Sequence, residues 1–307
     1  MKMYQIFIMS VLLMAVSCTL DKTDYESEIN TAVPENYEFK EATAVNKDGY
    51  TISIETLNGT FYQGYNEIRL KITNTQTNEH INASGVTFLP VMTKADGSKT
   101  SCPYQYTPDY KPDGKYYSGY SVFTDKSNTT TNWKLYLSFM LNQKTYTFSK
   151  DITVNEQSNK NLNMTSFTGN DGEQYYIALI SPQKPKVAEN NLVAGIYKYN
   201  KPAVSGVNFP DPSQFSYSEV KGYTLQLDPR MPEPSMGNHS SPNNKDLIQE
   251  NDGLYHGIVN YTMTGNWTLN FIMLNENGKI IKGTKVSTDF TPGVPGAKSE
   301  LFIDTLF

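Results

Sequence analysis

The chain has 307 residues, with 26 Lys+Arg against 31 Asp+Glu and a formal net charge of −5. At about 150 residues per domain this length predicts two domains, and an acidic balance without basic runs argues against nucleic acid as a partner. Charged residues are only 19% and hydrophobic residues 38%, so the polarity rests on Asn, Thr, Ser and 22 tyrosines, a composition suited to half-buried strands.

The first residues bear on location. Lys2 precedes IFIMSVLLMAV, an apolar run too short to span a bilayer comfortably, and Ser17-Cys18 follows at once. Small residues just ahead of a Cys resemble the bacterial lipoprotein signal, although Ala15 stands where Leu is usual. The plainer alternative is an ordinary secretory signal with a chance cysteine. The expectation is a signal peptide over 1–17, cleaved to leave Cys18 acylated. Acyl chains bury about 0.8 kcal/mol per CH₂ and several together anchor stably. The protein is then expected in the bacterial cell envelope, lipid-anchored to a membrane, with its soluble domains outside the cytoplasm. Cys102 is the other cysteine. With Cys18 acylated it has no intrachain partner, so cores rather than disulfides must hold the fold.

Residues 18–44 are polar, acidic and aperiodic, and read as a tether. From there the texture is β: TISIET, EIRLKITN, KYYSGYSVF, WKLYLSFML and TYTFSKDITV, punctuated by Asp48-Gly49, Asn58-Gly59, Asp96-Gly97 and Asp113-Gly114. The span 156–171 loses the pattern and reads as a linker. Strands resume with YYIALI, LVAGIYKY, GYTLQL, LYHGIVNYTM, WTLNFIML, KIIKGTKV and ELFIDTL. No amphipathic helix is evident after the signal. The expectation is an all-β chain of two sandwiches, over 45–155 and 172–307.

The two halves resemble each other. GKYYSGYSVFTDKSNTTTNWKLYLSFMLN (114–142) parallels GLYHGIVNYTMTGNWTLNFIMLN (253–275), and GVTFLPVM (85–92) parallels YTLQLDPRM (223–231), matching Met92 with Met231. Period-two alternation puts Trp133, Leu135, Leu137, Phe139 and Leu141 on one face, and Trp267, Leu269, Phe271 and Met273 on another. Those faces should be core, with Thr268 and Asn270 outward. Tyr255, Gly257, Val259, Tyr261 and Met263 form a matching inward face. Gly119 and Gly257 would let the facing sheet or an indole approach the backbone closely.

In the second half MPEPSMGNHSSP (231–242) is followed by GLYHGIVNYTMTGNWTLNF (253–271). This combination of Met-Pro, a nearby Met-Gly and His, Gly-x-Tyr-x-Gly and Met-x-Gly-x-Trp resembles the YtkA-like/FixH-like domain. The first half is a weaker copy, with VMTKADGSKTSCPY in place of the Met/His loop. The resemblance implies an immunoglobulin-like sandwich of bacterial envelopes, associated in some cases with copper handling or oxidase assembly.

Two thioethers and an imidazole, Met231, Met236 and His239, form a soft, chargeless donor set suited to Cu(I). The bland reading competes directly: Met231 fills the mouth of the sandwich and His239 is a turn residue. His256 should point outward, Met92 and Cys102 read as packing groups, and His80 as a solvated turn residue. No nucleophile–base pair, phosphate loop, zinc spacing or dinucleotide fingerprint appears, so an enzyme is not expected. Two functions remain open: a lipoprotein that carries copper or delivers it to an envelope protein, and an interaction module that binds a protein or glycan without metal.

Overall fold

The computed structural model describes residues 37–158, 160–202 and 210–306. The expected signal peptide, Cys18 and most of the expected tether lie outside the described residues.

The first half runs β1 (Phe39–Lys47), β2 (Tyr50–Leu57), β3 (Phe61–Tyr62), β4 (Gly64–Asn74), β5 (Ser84–Lys94), β6 (Lys99–Thr100), β7 (Asp109–Lys111), β8 (Tyr116–Phe123), β9 (Thr131–Leu141), β10 (Lys144–Ile152) and β11 (Val154–Asn155). The second runs β12 (Met164–Thr168), β13 (Gln174–Ser181), β14 (Glu189–Asn200), β15 (Ser216–Glu219), β16 (Thr224–Met231), β17 (His239–Ser240), β18 (Lys245–Gln249), β19 (Tyr255–Asn260), β20 (Asn266–Leu274), β21 (Ile280–Lys282) and β22 (Phe302–Leu306). Two short 3₁₀ turns, Pro212–Phe215 and Pro234–Met236, are the helical elements among the described residues.

The fold is all-β, and its two halves share one strand order. In the first, β1-β2-β4-β8-β7 faces β10-β9-β5-β6. The order β2-β4-β8-β7 opposite β10-β9-β5 is that of an immunoglobulin sandwich, with β1 added outside. In the second, β12-β13-β14-β19-β18 corresponds to the first sheet, while β20 flanked by β21 and β22, with β16 and β17, corresponds to the other. There β18 also pairs with β16, through Thr224–Ile248 and Leu225–Leu247, and fuses both layers into one continuous curved sheet.

The alternation explains the cores. Trp133, Leu135, Leu137 and Phe139 are buried inside one sandwich, and Trp267, Leu269, Phe271 and Met273 inside the other. Leu141 is half-buried at the end of its strand. Each half repeats three internal details. The indole N–H donates to a carbonyl of the preceding turn, Trp133 to Asp125 O at 2.8 Å and Trp267 to Met263 O at 3.0 Å. A buried tyrosine hydroxyl ties one sheet to the segment before the other, Tyr117 to Ala83 O and Tyr255 to Val220 O. A buried asparagine clamps the chain entering its strand. Asn66 accepts from Tyr62 N and donates to Tyr62 O and Gly64 O; Asn190 does the same with Lys186 N, Lys186 O and Ala188 O.

Four expectations need correction. The tether read to residue 44 ends earlier, because Phe39–Lys47 pairs along β2 as an edge strand. The linker read over 156–171 contains β12, which pairs with β13 from Met164–Ala178 to Thr168–Gln174. Both are edge strands of mostly polar sequence, held by the ladder and by a few apolar side chains on the core, Ala42 and Val45 in one and Met164 and Phe167 in the other. Thr268 and Asn270 are buried, not outward, because the C-terminal segment covers them: Thr268 donates to Asp304 Oδ1 at 2.6 Å and Asn270 Oδ1 accepts from Ser299 N at 2.8 Å. Gly119 and Gly257 admit neither the facing sheet nor an indole. A Cβ at Gly257 would lie 2.7 Å from Lys245 O, and one at Gly119 would lie 3.3 Å from Pro108 Cβ, so each makes room for the neighbouring edge segment of its own sheet.

The halves also pack together. Val122, Ala178 and Tyr197 form a buried cluster with Tyr65, Tyr120 and Tyr176, and Tyr65 stacks on Tyr120 at 5.8 Å. Phe215, from the connection between β14 and β15, covers Leu89 and Val91 on the outer face of β5.

Candidate metal centre

Strand β16 ends at Met231. The chain then turns through Pro232 and the 3₁₀ segment Pro234–Met236, and Gly237 and Asn238 follow at φ 61° and 54°. Those left-handed values favour Gly and Asn over other residues. The chain returns as β17 with His239 directly opposite Met231. Direct antiparallel partners project to the same face with Cβ atoms about 5 Å apart, so the turn brings a thioether and an imidazole together.

The two are not equally accessible. Met231 is 2% exposed and belongs to the core. Its methyl group fills the space beside Gly265, where a Cβ would stand 2.8 Å from it. His239 is half-buried: its Nε2 meets Thr262 Oγ1 at 2.8 Å, and its ring lies edge-on to Trp267 at 6.0 Å. Nδ1 has no protein partner among the described residues. Met236 is half-buried and packs on the same core, as does Met263, from the turn that His239 engages. Asn238 Nδ2 donates to Ser287 O and Asp289 O, and Gly296 N donates to Pro232 O, so the segment 287–296 is strapped over the loop.

Among the described residues no three His, Cys, Asp or Glu come together in a way that could hold a metal ion. Any metal here depends on the thioethers, which with one imidazole fit a soft monovalent ion. The other candidates stand elsewhere. His256 bonds Asp252 at 2.9 Å, at the far end of β19 from Thr262. His80 is exposed, with Nδ1 at 3.3 Å from Thr73 Oγ1. Cys102 is fully buried with Sγ 3.3 Å from Ser121 Oγ, and burial pushes its thiol up to about 12, so it is not a thiolate near neutrality.

In the first sandwich Met92 sits opposite both Trp133 and Thr100. Thr100 thus occupies the place of His239, and Asp125 provides the carbonyl that Met263 provides in the second half. By its period Met263 falls on an inward face and is not among the sequence's metal candidates. The signal was its place in Met-x-Gly-x-Trp, four residues before the indole it bonds.

No family model matches the chain, and no curated protein does. Among solved structures it is similar to a conserved domain protein from Bacillus anthracis, at 11% identity over 91% of this chain and 94% of that one, with a TM-score of 0.24. It is also similar to a DUF4785 family protein from Legionella pneumophila, at 9% identity over 76% of this chain and 54% of that one, with a TM-score of 0.23. Similarities this distant carry neither fold nor function across to this chain.

Proposed function

We propose that this protein is a lipid-anchored envelope protein without enzymatic activity, and that the second sandwich binds Cu(I) at the turn carrying Met231, Met236 and His239, to hold copper or pass it to an envelope partner. The observation that carries the reading is the direct opposition of Met231 and His239, with Met236 on the same core and an indole at 6.0 Å from the imidazole. Soft neutral donors at a half-buried corner favour Cu(I) over ions that need carboxylates or thiolates. The anchor rests on the Lys2–Cys18 sequence.

The test is competition with a chromogenic Cu(I) chelator, using wild type and the variant Met231→Leu, Met236→Leu, His239→Ala. Stoichiometric uptake by wild type, lost in the variant, supports the site; equal competition, or none, refutes it. Cys18→Ala should release the protein from membranes and abolish fatty-acid labelling, and unchanged retention would refute the anchor.

A second reading is a metal-free module that docks a protein. Phe290 and Val294, 48% and 53% exposed on the strap beside Gly237, favour it. Partner capture that is insensitive to the triple variant but lost on Phe290→Ser would select this reading.

A further inference from the structure

The internal repeat separates what the sandwich needs from what the second copy has added. Met92 and Met231 occupy the same place, both 2% exposed, at the same strand end and beside corresponding tryptophans. The first copy keeps its methionine where the opposite residue is Thr100 and the preceding turn carries Asp125. A methionine at this position therefore serves the fold whether or not soft residues surround it. His239, Met236 and Met263 have no soft counterpart at Thr100, on the first copy's β5–β6 turn, or at Asp125. All three are half-buried, not sealed.

Resting on the copper reading, but replacing Met231 with Met263 in its donor set, we infer that the ligands are Met236, Met263 and His239, and that Met231, which faces His239 from the core, is the floor of the site. His239 links the two segments that carry the thioethers. It stands three residues after Met236, and its Nε2 bonds Thr262, the neighbour of Met263. That bond fixes the ring and leaves Nδ1 as the nitrogen for the ion, the usual division of labour in a ligating histidine. The Trp267 N–H bond to Met263 O holds the second thioether's backbone from below. Met231, with its methyl lodged against Gly265 inside the core, would have to leave its packing to bind an ion arriving from solvent.

The experiment uses the full chain with ¹³C-methyl methionine and Ag(I), a soft ion that does not change oxidation state, as the probe. Single Met→Leu variants assign the methyl signals and serve in parallel Cu(I) competition assays. Met→Leu nearly conserves volume, and circular dichroism checks each fold. Met236 and Met263 methyls should shift at one equivalent while Met92, Met140 and Met164 do not. Met236→Leu and Met263→Leu should each weaken binding about tenfold or more, and Met231→Leu by less than about threefold. Binding that depends on Met231 and Met236, with Met263 silent, would overturn the assignment and leave the copper reading standing. No shift and no competition in wild type would remove both.

Discussion

Asn66 offers a stringent test of how the sandwich is held together. Its side chain makes three hydrogen bonds to the chain entering β4: it accepts from Tyr62 N at 2.9 Å and donates to Tyr62 O at 2.6 Å and Gly64 O at 2.9 Å. The residue is 7% exposed, and Gly64 is buried. Asn66→Ala deletes all three bonds, each worth about 1 kcal/mol net, with a further charge for any group left dry. The expected loss is about 2–4 kcal/mol. At roughly 4 °C per kcal/mol for a domain of this size, the melting temperature should fall by about 8–16 °C in differential scanning calorimetry. Asn190→Ala removes the same three bonds, but Lys186 and Ala188 are exposed and their freed groups can meet water. It should lie at the low end of that range. Asn66→Asp should cost more than Asn66→Ala, because a carboxylate would face two carbonyl oxygens that now accept from the amide. An Asn66→Ala loss smaller than about 1 kcal/mol, or an Asn190→Ala loss clearly larger than that of Asn66→Ala, would refute the clamp argument.

Two further predictions concern the tyrosines and the junction. Burial pushes the Tyr65, Tyr120 and Tyr197 hydroxyls well above their ordinary range, and those of Tyr255 and Tyr261 up to about 12. The unfolded chain loses these protons near pH 10 while the folded one keeps them, so stability holds below pH 10 and falls above it. Tyrosinate absorbance from this group should appear together with unfolding, and smooth titration in a chain still folded would contradict the burial. At the junction, the halves expressed separately should each melt below the intact protein, since separation exposes Val122, Ala178, Tyr197 and Phe215; unchanged melting would show that the contact contributes nothing.

The sequence displays what has a local period. Trp133 to Phe139 and Trp267 to Met273 read as inward faces because alternation is recorded in adjacent residues, and the match of 114–142 to 253–275 shows that the module occurs twice. Features set by distant partners do not show. Nothing in WTLNFIML says that Ser299 and Asp304 will cover Asn270 and Thr268. Phe39–Lys47 and Met164–Thr168 are edge strands, made by backbone pairing with a neighbour, so their polar sequences resemble connectors. The candidate site was half legible. Met231, Met236 and His239 are close in sequence and stood out together, whereas Met263 joins them through Thr262, and the pairing that sets His239 beside Met231 depends on a turn geometry that residue types only permit. The abundance of tyrosine was plain, but its concentration at the junction depends on how two separately folded faces meet.

Two modules of one strand order in a single chain also create a folding hazard. A nascent strand can be received by the wrong copy, since each copy presents an acceptor edge of the same polarity, and exchange between neighbouring domains is a characteristic failure of repeated architectures. The risk persists because the pairings are far apart along the chain. Leu192 must find Gly257 across the span that includes β16 and β17, and sheets of this kind close slowly, in milliseconds to seconds. Two features discriminate between the copies. Synthesis completes the first module before the strands of the second emerge, so its edges are occupied when competitors appear. The second module joins its two layers through a ladder of β18 with β16, where the first links β5 to the segment before β7 through the Phe88 N–Tyr106 O bond, so a strand placed in the wrong copy could not reproduce the same pairing. The divergence of the copies thus bears on the fidelity of assembly as well as on the chemistry of one corner.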